Sequence, residues 1–413
     1  MKMTMAALFD ENSEWEKNKD IDDIARQAQQ RLQKSGMPKR QWSGWEHETC
    51  YDLLNEARGY VSDKASMPRG LVKLNHPSVV FYNGSYDEKA SSLPQEVTLK
   101  ESLERKCWQT YLEATPSEEV LAAAALMLQP RSVEMDIKRG SQIEILHIYH
   151  IMDKKNGDVL GQNTRMNIDK HCQVKVVEHF HCLDECVYLH NGWIHVKEGA
   201  HLTKDCLVYP SPSSQLHVGR YHHLERNSQF NQVSMMQDTR YARFYDQVDL
   251  AGPNADAQMK SLLLAHAKQH VHHLISMNHL APKTQSKQLC KGVSRSKGVS
   301  NFFGKIYVAN AAQQTDASQI NHNILLEEGA AAHSKPELEI FADDVKCAHG
   351  STLGQIEKEK LRYLAMRGLD EQAAKKMLIV GFVAEMIASF SDQARCKVAE
   401  WVDGFMKLKK VLN

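Results

Sequence analysis

Apolar residues recur along this chain with two different periods. Near the N-terminus Ile21, Ile24, Ala25, Ala28 and Leu32 fall at helical spacing and Gly36-Met37-Pro38 supplies the stop, which predicts a helix from Asp20 to about Lys34. Val79-Val80-Phe81-Tyr82-Asn83-Gly84 reads as a strand running into a tight turn, and Ser117 to about Leu128 as an Ala-rich helix ending before Pro130. From Met135 the period becomes two. The stretch Met135 to Ile145 recurs in pattern as Met166 to Val176, and a shorter copy, Val196-Lys197-Glu198-Gly199-Ala200-His201-Leu202, follows. Equivalent apolar positions are thus expected at 137, 168 and 196, and Leu326-Glu327-Glu328-Gly329-Ala330 echoes the third copy far downstream.

Each copy is an alternating strand, a small-residue corner and a second alternating strand. Such a unit cannot bury its own apolar face, so neighbouring copies must stack, which predicts a β-solenoid. Ser261-Leu262-Leu263-Leu264, Val271 to Met277, Lys305-Ile306-Tyr307-Val308 and Leu338-Glu339-Ile340-Phe341 continue the strand grammar to about residue 345. The alternative is a sandwich of hairpins, for which Asn191-Gly192 is the signal. After Gly354 the helical period returns. Ile356, Leu361, Leu364 and Ala365 form a stripe, Gly368 stands at a C-cap, and Asp370 can cap a second helix carrying Ala373, Met377, Phe382 and Met386 on its face. A last amphipathic segment runs from Val398 to Leu408. The expected organisation is a mostly helical N-terminal domain over 1–128, a mainly β solenoid over 129–353 and a helical C-terminal domain over 354–413.

Charge and cysteine content narrow the function classes. Lys plus Arg and Asp plus Glu both number 51, so no global field recruits nucleic acid or an anionic membrane. The N-terminus lacks the order of a secretory signal, and no apolar run reaches the roughly 18 residues that a bilayer span needs. A cytoplasmic, reducing location is expected. The nine cysteines, at 50, 107, 172, 182, 186, 206, 290, 347 and 396, form an odd set without any C-x-x-C pair, which argues against a disulfide framework or a zinc knuckle. No Walker-type loop is present: Gly298 to Lys305 has the wrong glycine spacing and is followed by Ile306.

The run Lys335-Pro336-Glu337-Leu338-Glu339-Ile340-Phe341-Ala342-Asp343-Asp344-Val345-Lys346-Cys347-Ala348-His349-Gly350, continuing to Gly354, closely resembles the signature of the SufB/SufD family, on its SufD side. Leu361 to Leu369 is similar to the family's Tyr-Leu-x-x-Arg-Gly-Ile/Leu helix end. Phe303 to Val308, Ala311 to Thr315 and Asn323-Ile324-Leu325-Leu326 also look like family motifs. Gly36-Met37-Pro38 with Trp45, and Phe81 to Gly84 with Ser92-Leu93-Pro94, match more loosely, and Glu46-His47-Glu48-Thr49 departs from the family's pattern. The resemblance implies a right-handed parallel β-helix flanked by helical domains. It further implies a non-catalytic scaffold subunit of iron–sulfur cluster assembly that pairs with SufB and the ATPase SufC, is linked to iron entry, and leaves a reduced flavin open as a participant.

On a strand, Asp343, Val345, Cys347 and His349 would share one face and Asp344, Lys346 and Ala348 the other. A thiolate and an imidazole are competent ligands for iron, but clusters typically take four protein ligands. Cys347 and His349, the residues the resemblance assigns to the site, therefore offer a transient iron or cluster two ligands and leave the others to a partner chain. His322 and His333 lie near the same repeat and are read first as structural. His179, His181, Cys182 and Cys186 fit no standard metal spacing. The resemblance places SufC docking on the C-terminal helices around Tyr363, Arg367, Gly368 and Leu369. An isolated chain is expected to pair with itself through the solenoid face meant for its partner. The rival readings are a SufB-type scaffold, which the pattern Asp343-Asp344-Val345-Lys346-Cys347-x-His349 disfavours, and a carbohydrate-active β-helix enzyme using the carboxylates of Asp343 and Asp344, which alternation would send to opposite faces.

Overall fold

The computed structural model describes residues 23–36, 59–60, 66–102, 106–116, 119–129, 131–154 and 158–407. Two parallel sheets form a solenoid of about eight turns, because each coil places one strand in either sheet. The first sheet contains β5 (Ser132–Ile137), β7 (Asp158–Ile168), β9 (Cys186–Val196), β11 (Ser211–Leu224), β13 (Thr239–Leu250), β15 (His270–His279), β17 (Val299–Val308) and β19 (Ala331–Ile340). The second contains β6 (Gln142–Met152), β8 (Gln173–Cys182), β10 (His201–Val208), β12 (Gln229–Gln237), β14 (Asp256–Ala265), β16 (Gln285–Ser294), β18 (Thr315–Leu325) and β20 (Val345–Gln355). Strands from before residue 129 extend both sheets. β1 (Gly59–Tyr60) lies along β7, β2 (Ser78–Tyr82) runs parallel to β6 with β3 (Ser85–Tyr86) folded back on it, and β4 (Val97–Ser102) closes the first sheet antiparallel to β5.

The three apolar positions expected to be equivalent do stack: Ile137 pairs with Ile168, and Ile168 with Val196. The column continues through Leu224, Leu250, His279, Val308 and Ile340. A facing column runs Ile143, Val174, Leu202, Phe230, Ala257, Ser286, Ala317, Cys347. These inward columns are the core that no single coil could build, each buried Leu, Val or Phe contributing about 1.5–3 kcal/mol. One corner repeats a left-handed residue in coil after coil, at Gly140, His171, Gly199, Asn227, Asn254, Lys283 and Gln314. Its amide bonds to the next coil, as in His171 N–H to Glu198 O at 3.2 Å and Gly199 N–H to Arg226 O at 3.0 Å. Gly199 has a further reason to be glycine, since a Cβ there would stand 2.6 Å from the His171 ring.

Helices cover the outer faces. α1 (Asp23–Ser35), α2 (Lys106–Ala114) and α3 (Val120–Leu128) pack on the first sheet around Val159, Val187, Leu189, Trp193, Tyr221 and Tyr241. α5 (Glu371–Ser389) and α6 (Asp392–Lys407) pack on the second, whereas α4 (Lys358–Met366) buries no residue. Ile21, Met37, Pro38, Trp45 to Thr49, Ser117 and Leu408 lie outside the described residues.

The structure removes the signal for the rival hairpin sandwich and refines two further sequence readings. Asn191-Gly192 is no hairpin turn but the middle of β9. Asn191 is buried and bonds Ala122 O, Tyr111 Oη and Asn163 Oδ1 within 3.0 Å, anchoring the helices, so packing overrides its turn preference. The face that α5 buries is Ala374, Ile379, Val383 and Met386, leaving Met377 exposed, because the sheet meets the helix one position round from the predicted stripe. The 326–330 echo lies at the opposite corner from the copy at 196–200: it leads from β18 to β19, out of the second sheet into the first. A small-residue corner follows either strand, so its sequence does not distinguish them.

Candidate functional site

The solenoid stops on an unfinished rung. Among the described residues β19 pairs only with β17 and β20 only with β18, so each has an edge that no described strand covers. Phe341 and Leu353 beside these edges are 60% and 57% exposed, large apolar side chains of the kind a covered coil buries. On β20, Val345 and Cys347 face inward as alternation requires. Cys347 stacks on Ala317, packs against the apolar cluster of Ile306, Val308, Ala312, Ala317 and Ala342, and is half-buried. His349, two residues on, stacks on Gln319 in the next inward column and is exposed. Side chains based roughly 7 Å apart on one strand face can reach a single metal or small cluster between them. Burial, with a lesser push from the Asp316 charge, raises the Cys347 thiol. That works against a free thiolate, while a coordinated cation deprotonates a thiol outright.

Asp343 and Asp344 are not strand residues. Both precede β20 in the exposed corner, where Asp344 O accepts the Gln314 amide at 2.6 Å, so the expected alternation of the two carboxylates does not apply. His322 and His333 stack on outward positions, paired with Lys291 and Thr352 and with Asn301, and His322 Nδ1 bonds Thr352 Oγ1 at 2.7 Å. They do not join Cys347 and His349. His179 and His181 face outward against Tyr149 and Tyr209, whereas Cys182 and Cys186 belong to the inner core, so that quartet is split by the sheet. Among the described residues no three His, Cys, Asp or Glu side chains converge as a metal-ligand set, which leaves Cys347 and His349 as a pair.

The helical hairpin forms a second exposed feature. Gly368 N–H bonds Ala365 O and Leu369 N–H bonds Leu364 O, at 3.0 and 3.2 Å, the double bond pattern of a Schellman C-cap. Asp370 accepts from Ala373 N–H at 2.7 Å and starts α5. Arg367 lies 5.3 Å over the Tyr363 ring, both are exposed, and Met366 between them is 79% exposed. Tyr363, Arg367 and Gly368 therefore face solvent, with Leu369 half-buried.

Sequence reasoning missed an ionic network inside the lumen. Glu178 takes Lys204 Nζ at 2.8 Å and Arg220 Nη1 at 2.9 Å, and Arg220 grips Asp246 through Nε and Nη2 at 2.7 and 2.9 Å. His222 and His273 reach Asp246 at 2.9 and 2.8 Å, and His150 reaches Glu178 at 3.3 Å. All seven are buried. Burial pushes both carboxyls up, yet Lys204, His150 and Arg220 hold Glu178 well below the usual range, as Arg220, His222 and His273 do Asp246. Burial lowers His222 and His273 despite Asp246, so they donate as neutral rings. The signal was in the sequence: Glu178, Lys204, Arg220 and Asp246 each occupy the apolar phase of an alternating strand, as Asp246 does between Phe244 and Val248.

A family model described as the SUF system FeS cluster assembly, SufBD core domain, matches residues 150–382, from β6 into α5. The chain is 27% identical over 383 residues to the iron–sulfur cluster assembly protein SufD of Escherichia coli strain K12, covering 89% of each chain. It is 27% identical over 331 residues to the chloroplastic Protein ABCI7 of Arabidopsis thaliana, covering 76% of this chain and 68% of the relative. To a SufBD family iron–sulfur cluster assembly protein of Synechocystis it is 40% identical over 116 residues, 28% of this chain and 25% of that one.

Proposed function

From the premise that the chain belongs to the SufBD family of iron–sulfur cluster assembly proteins, we propose that it is the SufD-like scaffold subunit of such an assembly and works at its unfinished last rung. Cys347 and His349 supply two ligands to an incoming iron ion or nascent cluster, and a SufB-type partner that pairs along the β19 and β20 edges supplies the rest. Iron and the cluster are cargo here. The observation that carries this reading is the coincidence, on one strand, of a free sheet edge, exposed apolar neighbours and a thiol beside an imidazole. The same edges serve for self-pairing when the partner is absent.

The exposed hairpin of Tyr363, Met366, Arg367 and Gly368 is the docking surface for the SufC-type ATPase, which supplies ATP hydrolysis. The chain contributes no chemistry of bond breaking; it holds, orients and shields. The test is a cytoplasmic co-purification combined with cluster assembly in cells that depend on this pathway. Cys347→Ser and His349→Ala should each keep the fold and the partner, with cluster-enzyme activity falling at least tenfold, since losing a ligand costs no less than the roughly 10–100-fold of losing a ligand's hydrogen-bond partner. Undiminished activity in both variants would remove the ligand assignment. Removal of residues after 354 should release the ATPase; its retention would move that surface elsewhere.

A further inference from the structure

The column that ends in His349 runs inward through Lys204, Gln232, Met259, Gln288 and Gln319. Gln319, one rung beneath His349, is 2% exposed. Its amide lies flat against Gly304 of the opposite sheet, where an added Cβ would come 2.5 Å from Gln319 Cδ and 2.6 Å from both Oε1 and Nε2. Only glycine leaves that seat vacant for the amide. Gln319 Oε1, however, accepts no hydrogen bond, an omission that costs about 1–3 kcal/mol in a buried group. Gln232 and Gln288 carry the same orphaned oxygen lower in the column, so the orphan atom by itself selects nothing. What distinguishes Gln319 is the residue stacked on it. The next rung of its column holds an imidazole, a ring with an N–H to give, and among the described residues no further rung lies over that ring.

We propose that Gln319 is the positioning residue of the last rung: the exposed His349 ring turns over it so that one ring N–H meets the Oε1 left unbonded in the structure, and the other nitrogen, as a lone pair, then faces the iron or cluster. A neutral imidazole has one N–H and one lone pair, and the partner of the first decides which nitrogen is the second. Gly304 acts through Gln319 by leaving its amide room. The inference rests on the reading of Cys347 and His349 as ligands.

The test uses the full chain labelled with 15N-histidine, at about pH 8 where an ordinary imidazole is neutral, with the His349 signals identified by their loss in His349→Ala. Wild type and Gln319→Glu, which keeps a carbonyl-type oxygen in place, should hold one tautomer; Gln319→Met, similar in length but without an acceptor, should show a mixture. Iron retained by the complex with its partner should fall about 10–100-fold in Gln319→Met and recover in Gln319→Glu. Gly304→Ala, which fills the amide's seat, gives a second route to the same mixture should Gln319→Met fail to fold. An unchanged tautomer in Gln319→Met or Gly304→Ala overturns the proposal. Normal iron retention in His349→Ala instead sinks the underlying ligand reading, and the tautomer result then stands apart from it.

Discussion

The coil built from β11 and β12 and the coil built from β19 and β20 follow the same strand grammar, yet they end in opposite conditions. The first has a coil on either side, a helix on each outer face and a lumen filled to the point of burying Arg220 in a carboxylate clamp. Among the described residues the second has a coil on one side only, and its inward residues Cys347 and His349 stand open in part or in full. In a stacked fold every coil but the last obtains its lid from the next copy. On the proposed reading the chemistry offered to a partner is concentrated where repetition stops, while the buried charges of the middle coils hold the coils together.

Acid should separate the two regions most strongly. Burial holds His181 and His279 down at about 4 and His217 at about 3. All three belong to the covered coils. An unfolded histidine takes its proton near pH 6.5, so the unfolded chain binds more protons below that value and the folded state loses stability as pH falls from 6.5 toward 4. The loss is about 3 kcal/mol per group by pH 4. Urea midpoints measured from pH 7.5 to 4.5 should drop steeply below 6.5, and a flat profile would show that these rings are solvated. Next in size, Asp246→Ala leaves the buried Arg220 and Lys204 sharing Glu178 alone and should cost about 3–5 kcal/mol. His349→Ala at the open rung should stay within about 0.5 kcal/mol, both read as urea unfolding free energies. Equal losses would erase the distinction between filled and open coils. Smallest is the edge itself: Phe341→Asp and Leu353→Asp should leave the fold intact and weaken self-pairing at least tenfold, about 1.4 kcal/mol, in sedimentation of the isolated chain. A wild type that sediments only as monomer would contradict the use of that edge.

Much of this was legible in the chain. The stacking of 137, 168 and 196 could be read because a coil that cannot bury itself imposes the same phase on its neighbours, and Cys347 with His349 could be placed on one face by counting in twos. Other features could not be read so directly. Asn191-Gly192 looks like a turn until Ala122 and Tyr111, some seventy to eighty positions away, occupy the asparagine amide. The buried stripe of α5 depends on where Val177, Leu207 and Leu264 present the sheet to it. The lumen charges violate the apolar phase singly and become intelligible only as partners drawn from β8, β10, β11 and β13.

Local alternation, corner residues and the recurrence of the pattern determined by themselves that the chain would coil, how its side chains would divide between inside and outside, and which strand would carry the thiol and the imidazole. The tertiary structure decided which charges meet in the lumen, which helix faces are covered, and that no described strand lies above β20. The reason is range: strand phase is set by the nearest two or three bonds of the backbone, whereas pairing, burial and an absent lid depend on segments that sequence order does not bring together.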